Sequence, residues 1–307
     1  MTKISLGQQK LAKEKTVHYF TKANPVNYWV EQGEIFWLMT QDCYGGKLRS
    51  KRDLRTSIRS SDIDGATGPI GVKGIKKGAC ICVEILDIKL GTRGVMTLSP
   101  GLGALGNCIT EVQTKIIKLK DDRAIFSPTL SIPVIPMLGV IGVAPARGKV
   151  SCAWQGNYGG NLDTKVIKKG SKVYLPVFVE AACLAIGDVH AAMGDGEISG
   201  TGIESAGKVC LRVTCAPTMH VKSPVIETRQ AYYFLASKKS FQRAAKDAIQ
   251  YAIEFIRQHN KLTFSEAYCF LSAGCDLQVS QIVNKYVTAR VKVPKKFLQD
   301  MERTKQK

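Results

Sequence analysis

The stretch Ser240-Phe241-Gln242-Arg243-Ala244-Ala245-Lys246-Asp247-Ala248-Ile249-Gln250-Tyr251-Ala252-Ile253-Glu254-Phe255-Ile256-Arg257-Gln258 decides the fold class. Phe241, Ala244, Ala245, Ala248, Tyr251, Ala252, Phe255 and Ile256 recur at helical spacing, which gives one apolar face, and Ser240 is placed to cap the first turn. Thr263-Phe264-Ser265-Glu266 has the spacing of a capping box and starts a second, shorter helix. Two more helical turns are expected between Val279 and Lys285. The chain before residue 235 reads differently. Apolar runs of strand length occur near 26–30, 34–39, 79–88, 114–119, 173–178, 182–189 and 208–215, broken by Gly- and Pro-bearing turns. The polar residues 43–68 read as a long loop with a short helix. Strands first and helices last give a β-rich α+β fold, not alternating βαβ units. The expected core is a β-sandwich or barrel-like, with helices concentrated in the C-terminal third. We read residues 1–307 as one unit, with a β-rich sub-region 1–130 and a sub-region 131–307 that carries the helices.

A formal charge of +19 on 307 residues needs a cause. Its densest run is Lys47, Arg49, Lys51, Arg52, Arg55 and Arg59, and the tail adds Lys295, Lys296, Arg303, Lys305 and Lys307. No helix-turn-helix, zinc-finger or aromatic-basic pattern accompanies the charge, which argues against specific nucleic-acid binding. The ten cysteines form no metal-knuckle pairs, and Cys80 and Cys82 sit in an apolar strand as small core residues. With a polar N-terminus, free thiols in a reducing cytosol are expected, so the protein is placed in the cytoplasm. The longest apolar stretch, 132–146, is too short and too interrupted to span a bilayer.

The chemistry concentrates in Gly187-Asp188-Val189-His190-Ala191-Ala192-Met193-Gly194-Asp195-Gly196-Glu197, followed by Glu204. Asp188 and His190 are two apart, so on a strand they share a face. Asp195 and Glu197 repeat the spacing, and the flanking glycines suit a tight turn. A strand, turn and returning strand would bring several carboxylates and one imidazole together. Such carboxylates repel unless a proton or a cation lies among them, and a metal ion is the simplest answer. A hairpin with solvated acids is the competing reading.

Several segments together resemble the acetamidase/formamidase family of metal-dependent small-amide hydrolases. They include Asn24-Pro25-Val26, Thr40-Gln41-Asp42-Cys43, Gly68-Pro69-Ile70-Gly71-Val72, Pro136-Met137-Leu138-Gly139-Val140-Ile141-Gly142, Gly159-Gly160-Asn161-Leu162-Asp163, the Gly187–Glu204 block and Asp276-Leu277-Gln278-Val279-Ser280-Gln281. They occur in order along nearly the whole chain. The resemblance implies hydrolysis of formamide, acetamide or a similar short linear amide to ammonia and a carboxylate. It also implies a bound divalent metal, zinc with calcium as a further ion, and a homo-oligomer, with a dimer favoured. Carried over by motif, Asp42, Asp163, Asp188 and His190 would hold metal, and Asp195, Glu197 and Glu204 would serve as catalytic acids or bases. Gly160, Asn161 and Met137 would contact the amide. The basic run from Lys47 to Arg59 departs from the family pattern and leaves the preferred amide open. Two other readings remain, a metal-dependent phosphodiesterase or nuclease and a non-catalytic relative that binds a small ligand.

Overall fold

The computed structural model describes residues 10–11 and 15–298; the basic tail residues Arg303, Lys305 and Lys307 lie outside the described residues. Two large sheets are stacked. One runs in the order Lys10–Leu11, Ile35–Thr40, Gly207–Cys215, Cys80–Leu90, Lys172–Pro176, Val225–Glu227, Ala231–Lys238, Val287–Pro294, Asp276–Gln281. The other is centred on Leu184–His190, which pairs with Met137–Gly142 on one side and with the short Glu204–Ser205 on another, while Ala66–Val72 also joins it. Beyond Glu204–Ser205 come Arg93–Leu98 and Gln113–Lys120. Both sheets draw strands from either side of residue 130.

The sheets meet through a continuous apolar layer. Leu38, Val83, Ile85, Val209 and Leu211 of the first sheet pack with Leu138, Val140, Leu184 and Ile186 of the second. Alternation places every second residue of each strand inward, so the layer follows directly from the period-two runs in the sequence. This is a sandwich. Both sheets keep open edges, so the barrel-like alternative is not realised.

The helix Phe241–His259 starts one residue after its cap, where the Ser240 hydroxyl accepts from the amide of Arg243. Its buried Ala244, Ala245, Ala248, Ala252, Phe255 and Ile256 form the expected stripe. That stripe covers the outer face of the first sheet through Phe234, Val291 and Val293, adding a third layer. The helix Phe264–Gly274 carries the complete capping box between Thr263 and Glu266. Thr263→Ala removes one orphan-amide partner and is expected to cost about 1 kcal/mol, readable as a small shift in the denaturant midpoint.

The helical turns expected between Val279 and Lys285 are not formed. Asp276–Gln281 is instead an edge strand antiparallel to Val287–Pro294, and the residues between make a tight bend. All ten cysteines are free. No helix among the described residues is long and apolar enough to cross a membrane.

Candidate active site

Asp188 sits within Leu184–His190 but with φ +54, a left-handed conformation that a non-glycine residue adopts only when its surroundings demand it. The turn carries its carboxylate to within 3.3 Å of His190 Nε2. Glu204 lies directly opposite His190 in the ladder and reaches Nε2 at 3.1 Å. Asp163, with φ +39, follows the strand Gly159–Asn161 and lies 3.9 Å from the same nitrogen. All four side chains are almost fully buried.

Two glycines make room for this cluster. A Cβ on Gly139 would stand 2.3 Å from Asp188 Oδ2 and 2.5 Å from Asp163 Oδ1, and one on Gly202 would stand 2.3 Å from His190 Nδ1. Neither glycine has a positive φ, so at both positions the lack of a side chain serves close approach, not backbone freedom.

Glu197 enters from the loop after the central strand. Gly196 (φ +93) and Glu197 (φ +47) turn its carboxylate inward, and Asp163, His190 and Glu197 then offer ligand atoms within 4.8 Å of one another. Cys43, Asp188 and Glu204 form an adjoining set with the same limit. One imidazole, one thiol and four carboxylates make a mixed donor set that suits a borderline ion such as zinc, with oxygen-rich positions open to a harder one. Asp188 Oδ1, Glu197 Oε2, Glu204 Oε2 and both His190 nitrogens are buried and lack well-aligned hydrogen bonds. Buried polar atoms of this kind are otherwise costly, so the residues present fit a bound cation.

The electrostatics agree. Burial holds Glu204 up to about 8 and, with the Asp188 charge, pushes Asp163 up to about 6. Burial also lifts Glu197 and Asp64 well above the carboxylate range. Burial disfavours a charged His190, but the Glu204 and Asp188 charges outweigh it and raise the imidazole. The cluster has more potential negative charge than this pocket can keep ionised. A cation among the carboxylates would reverse those upward shifts.

Three contributors are invisible at the level of motif spacing. Asp64 (φ +57) is tied to Cys43 by a backbone bond and lines the same hollow. Cys43 ends the Thr40–Cys43 segment and joins Asp188 and Glu204 only through the fold. Asn284, from the bend after Gln281, donates to Asp163 Oδ2 at 2.5 Å. Gln281 builds that bend, accepting from the amides of Val283 and Asn284 and donating to the carbonyl of Tyr286.

Of the other expected site residues, Asn161 stays at the hollow and the rest lie away from it. Asn161, with its amide nitrogen turned toward Asp163, donates to both carboxylate oxygens at 2.8 and 3.1 Å. Gly160 (φ +98) lets the carbonyl of Trp154 approach, since a Cβ there would lie 2.0 Å from it. Met137 is buried opposite His190 in the ladder and does not line the hollow. Asp42 is outside both donor sets, because its Oδ1 accepts from the amides of Tyr44 and Gly46 and closes a turn. Asp195 points the other way. It holds the buried Arg290 through two contacts of 2.8 Å and also pairs with Lys165.

Cys43, Asp64, Asp188, Glu197 and Glu204 line a hollow of about 220 Å³, with Trp154 and Leu102 among its walls. That is small beside the several hundred Å³ of a drug-sized site.

A model of the Acetamidase/Formamidase family matches residues 4–155 and 153–299. An acetamidase of Bacillus halodurans is 39% identical, with a TM-score of 0.93 over 95% of this chain and 99% of that one. A predicted acetamidase/formamidase of Thermoanaerobacter tengcongensis is 36% identical, with a TM-score of 0.93 over 96% of this chain and 98% of that one. The formamidase of Methylophilus methylotrophus is 26% identical over 252 residues, 62% of this chain and 61% of its own. The chain thus spans about three fifths of the length of the curated formamidases it matches.

Proposed function

Because the chain belongs to the acetamidase/formamidase family, we propose that it hydrolyses a short linear amide, of the formamide or acetamide type, to ammonia and the carboxylate. What carries the reading is the pair of adjoining buried donor sets, of which Cys43, Asp188, Glu204 and Glu197 line a small hollow. Asp163, His190 and Glu197 would hold one divalent cation, and Cys43, Asp188 and Glu204 offer a second set of ligands. Such an ion supplies Lewis acidity toward the amide carbonyl and lowers the pKa of a bound water.

The chain's own residues do the rest. Asn284 and Asn161 fix the Asp163 carboxylate by donating to it, which holds its oxygens toward His190. With an ion held by Asp163, His190 and Glu197 alone, Glu204 Oε2 is left to carry the proton. It takes the proton shed by the attacking water and hands it to the amide nitrogen, whose bond to the carbonyl carbon then breaks. Burial of the whole cluster keeps bulk water from competing for that proton.

The test is ammonia release from formamide and acetamide, run beside cleavage of a phosphodiester. We expect ammonia from the amides and no ester cleavage, with exhaustive chelation lowering amide turnover at least about a hundredfold and added zinc restoring it. Phosphodiester cleavage without ammonia would place the protein in the nuclease class. Unchanged amide turnover after chelation would remove the ion from the chemistry.

A further inference from the structure

The basic run that begins at Lys47 has one member that turns inward. Lys47 and Arg59 pair with Asp62, the Arg49 Nε donates to the carbonyl of Gly46, and Lys51 and Arg52 are exposed. Arg55 begins the 3-10 turn Arg55–Ser57, is half-buried, and lines the same 220 Å³ hollow as Asp188, Glu197 and Glu204. It closes no ion pair within 4.0 Å among the described residues, though its charge acts at longer range on Asp64. A second cation lines the hollow with it: Lys285, whose ammonium lies 3.0 Å from the ring centroid of Trp154.

A neutral amide such as formamide offers these two cations a carbonyl oxygen but no charge to pair with. A substrate with a negative group would be repelled by the carboxylate floor unless that group docked against a fixed positive charge. The guanidinium is the side chain best matched to a carboxylate, since its paired N–H donors meet both oxygens. The size of the hollow limits the carbon chain between amide and anion to a few atoms. We propose that the site takes monoamides of short dicarboxylic acids, with Arg55 binding the substrate carboxylate and Lys285 reinforcing it while the amide lies over the Asp188, Glu197 and Glu204 floor. This specificity rests on the amide-hydrolase reading above.

The test uses the holoprotein with succinamate and succinamide, which share a carbon skeleton and differ in one negative charge, and with succinate as a non-reacting ligand titrated by calorimetry. The kcat/KM for succinamate, per amide group, should exceed that for succinamide at least tenfold. Arg55→Gln should cut this preference tenfold or more and weaken succinate binding by a comparable factor, with Arg55→Lys recovering part of both. Lys285→Gln, at an exposed position, should shift both readouts in the same direction by about threefold, which keeps the test open should Arg55→Gln fail to fold. Equal rates for the two substrates, or an Arg55→Gln protein that slows both alike and binds succinate as before, would overturn the proposal and leave Arg55 as a counter-charge to the acidic floor. Absent turnover of every amide, formamide included, would defeat the hydrolase reading, while the succinate titration would still decide whether Arg55 binds carboxylate.

Discussion

Gly139→Ala is expected to lower kcat/KM for formamide by about a hundredfold or more in a protein that remains folded. The backbone of Gly139 does not need glycine's freedom, because its φ is not in the left-handed region. Its strand, Met137–Gly142, can therefore accept a methyl group as backbone. The obstruction is elsewhere. The new Cβ would lie 2.3 Å from Asp188 Oδ2 and 2.5 Å from Asp163 Oδ1, and both carboxylates would have to retreat by about an ångström to reach ordinary contact. A displacement of that size in a reacting constellation costs on the order of a hundredfold in rate. Steady-state kinetics with far-UV circular dichroism on the same sample check it. A variant with full activity would mean that the two carboxylates do not act from the positions found here.

Asp195→Ala tests stability instead. Arg290 is the largest fully buried side chain of the described residues, held by Gln278 at 3.0 Å, Ser280 at 3.2 Å and both oxygens of Asp195 at 2.8 Å. Removing the carboxylate strands a buried guanidinium, which costs about 3–5 kcal/mol in such pairs. Asp195 keeps 29% of its side-chain surface exposed, so water can partly replace it and the lower end, about 3 kcal/mol, is expected. Thermal melting should show a drop in Tm of about 5 °C. Because Gly196 bonds to Ser280 and Ile282, the same interaction also braces the turn that aims Glu197 inward. A fall in kcat with Tm unchanged would instead place Asp195 in the chemistry.

Asp195 also marks the boundary of what local sequence reveals. Asp188, His190 and Glu204 were legible because strand periodicity and an antiparallel return bring them to one face. Asp195 and Glu197 share that spacing, yet the positive φ values at Gly196 and Glu197 turn the two carboxylates in opposite directions. Asp42 shows a related ambiguity: a short carboxylate beside a turn binds nearby backbone amides as readily as it binds a ligand, and here its Oδ1 accepts from Tyr44 and Gly46. Asp64, Cys43 and Asn284 reach the cluster only through tertiary contacts, so no local pattern singles them out. The long helix and the capping box were legible because their signals are local. The bend after Gln281 was not, since a short apolar run fits a strand as well as a helix until its partner Val287–Pro294 is known.

If amide hydrolysis here requires a divalent cation, the buried carboxylates, the imidazole and the thiol are the groups that hold it. The most direct measurement is an anomalous difference map from crystals equilibrated with zinc, collected on either side of the zinc absorption edge. A strong peak among Asp163, His190 and Glu197, lost in His190→Ala crystals, is the expected result. A map without a peak at either donor set, from protein that still releases ammonia from formamide in the presence of chelator, would contradict it.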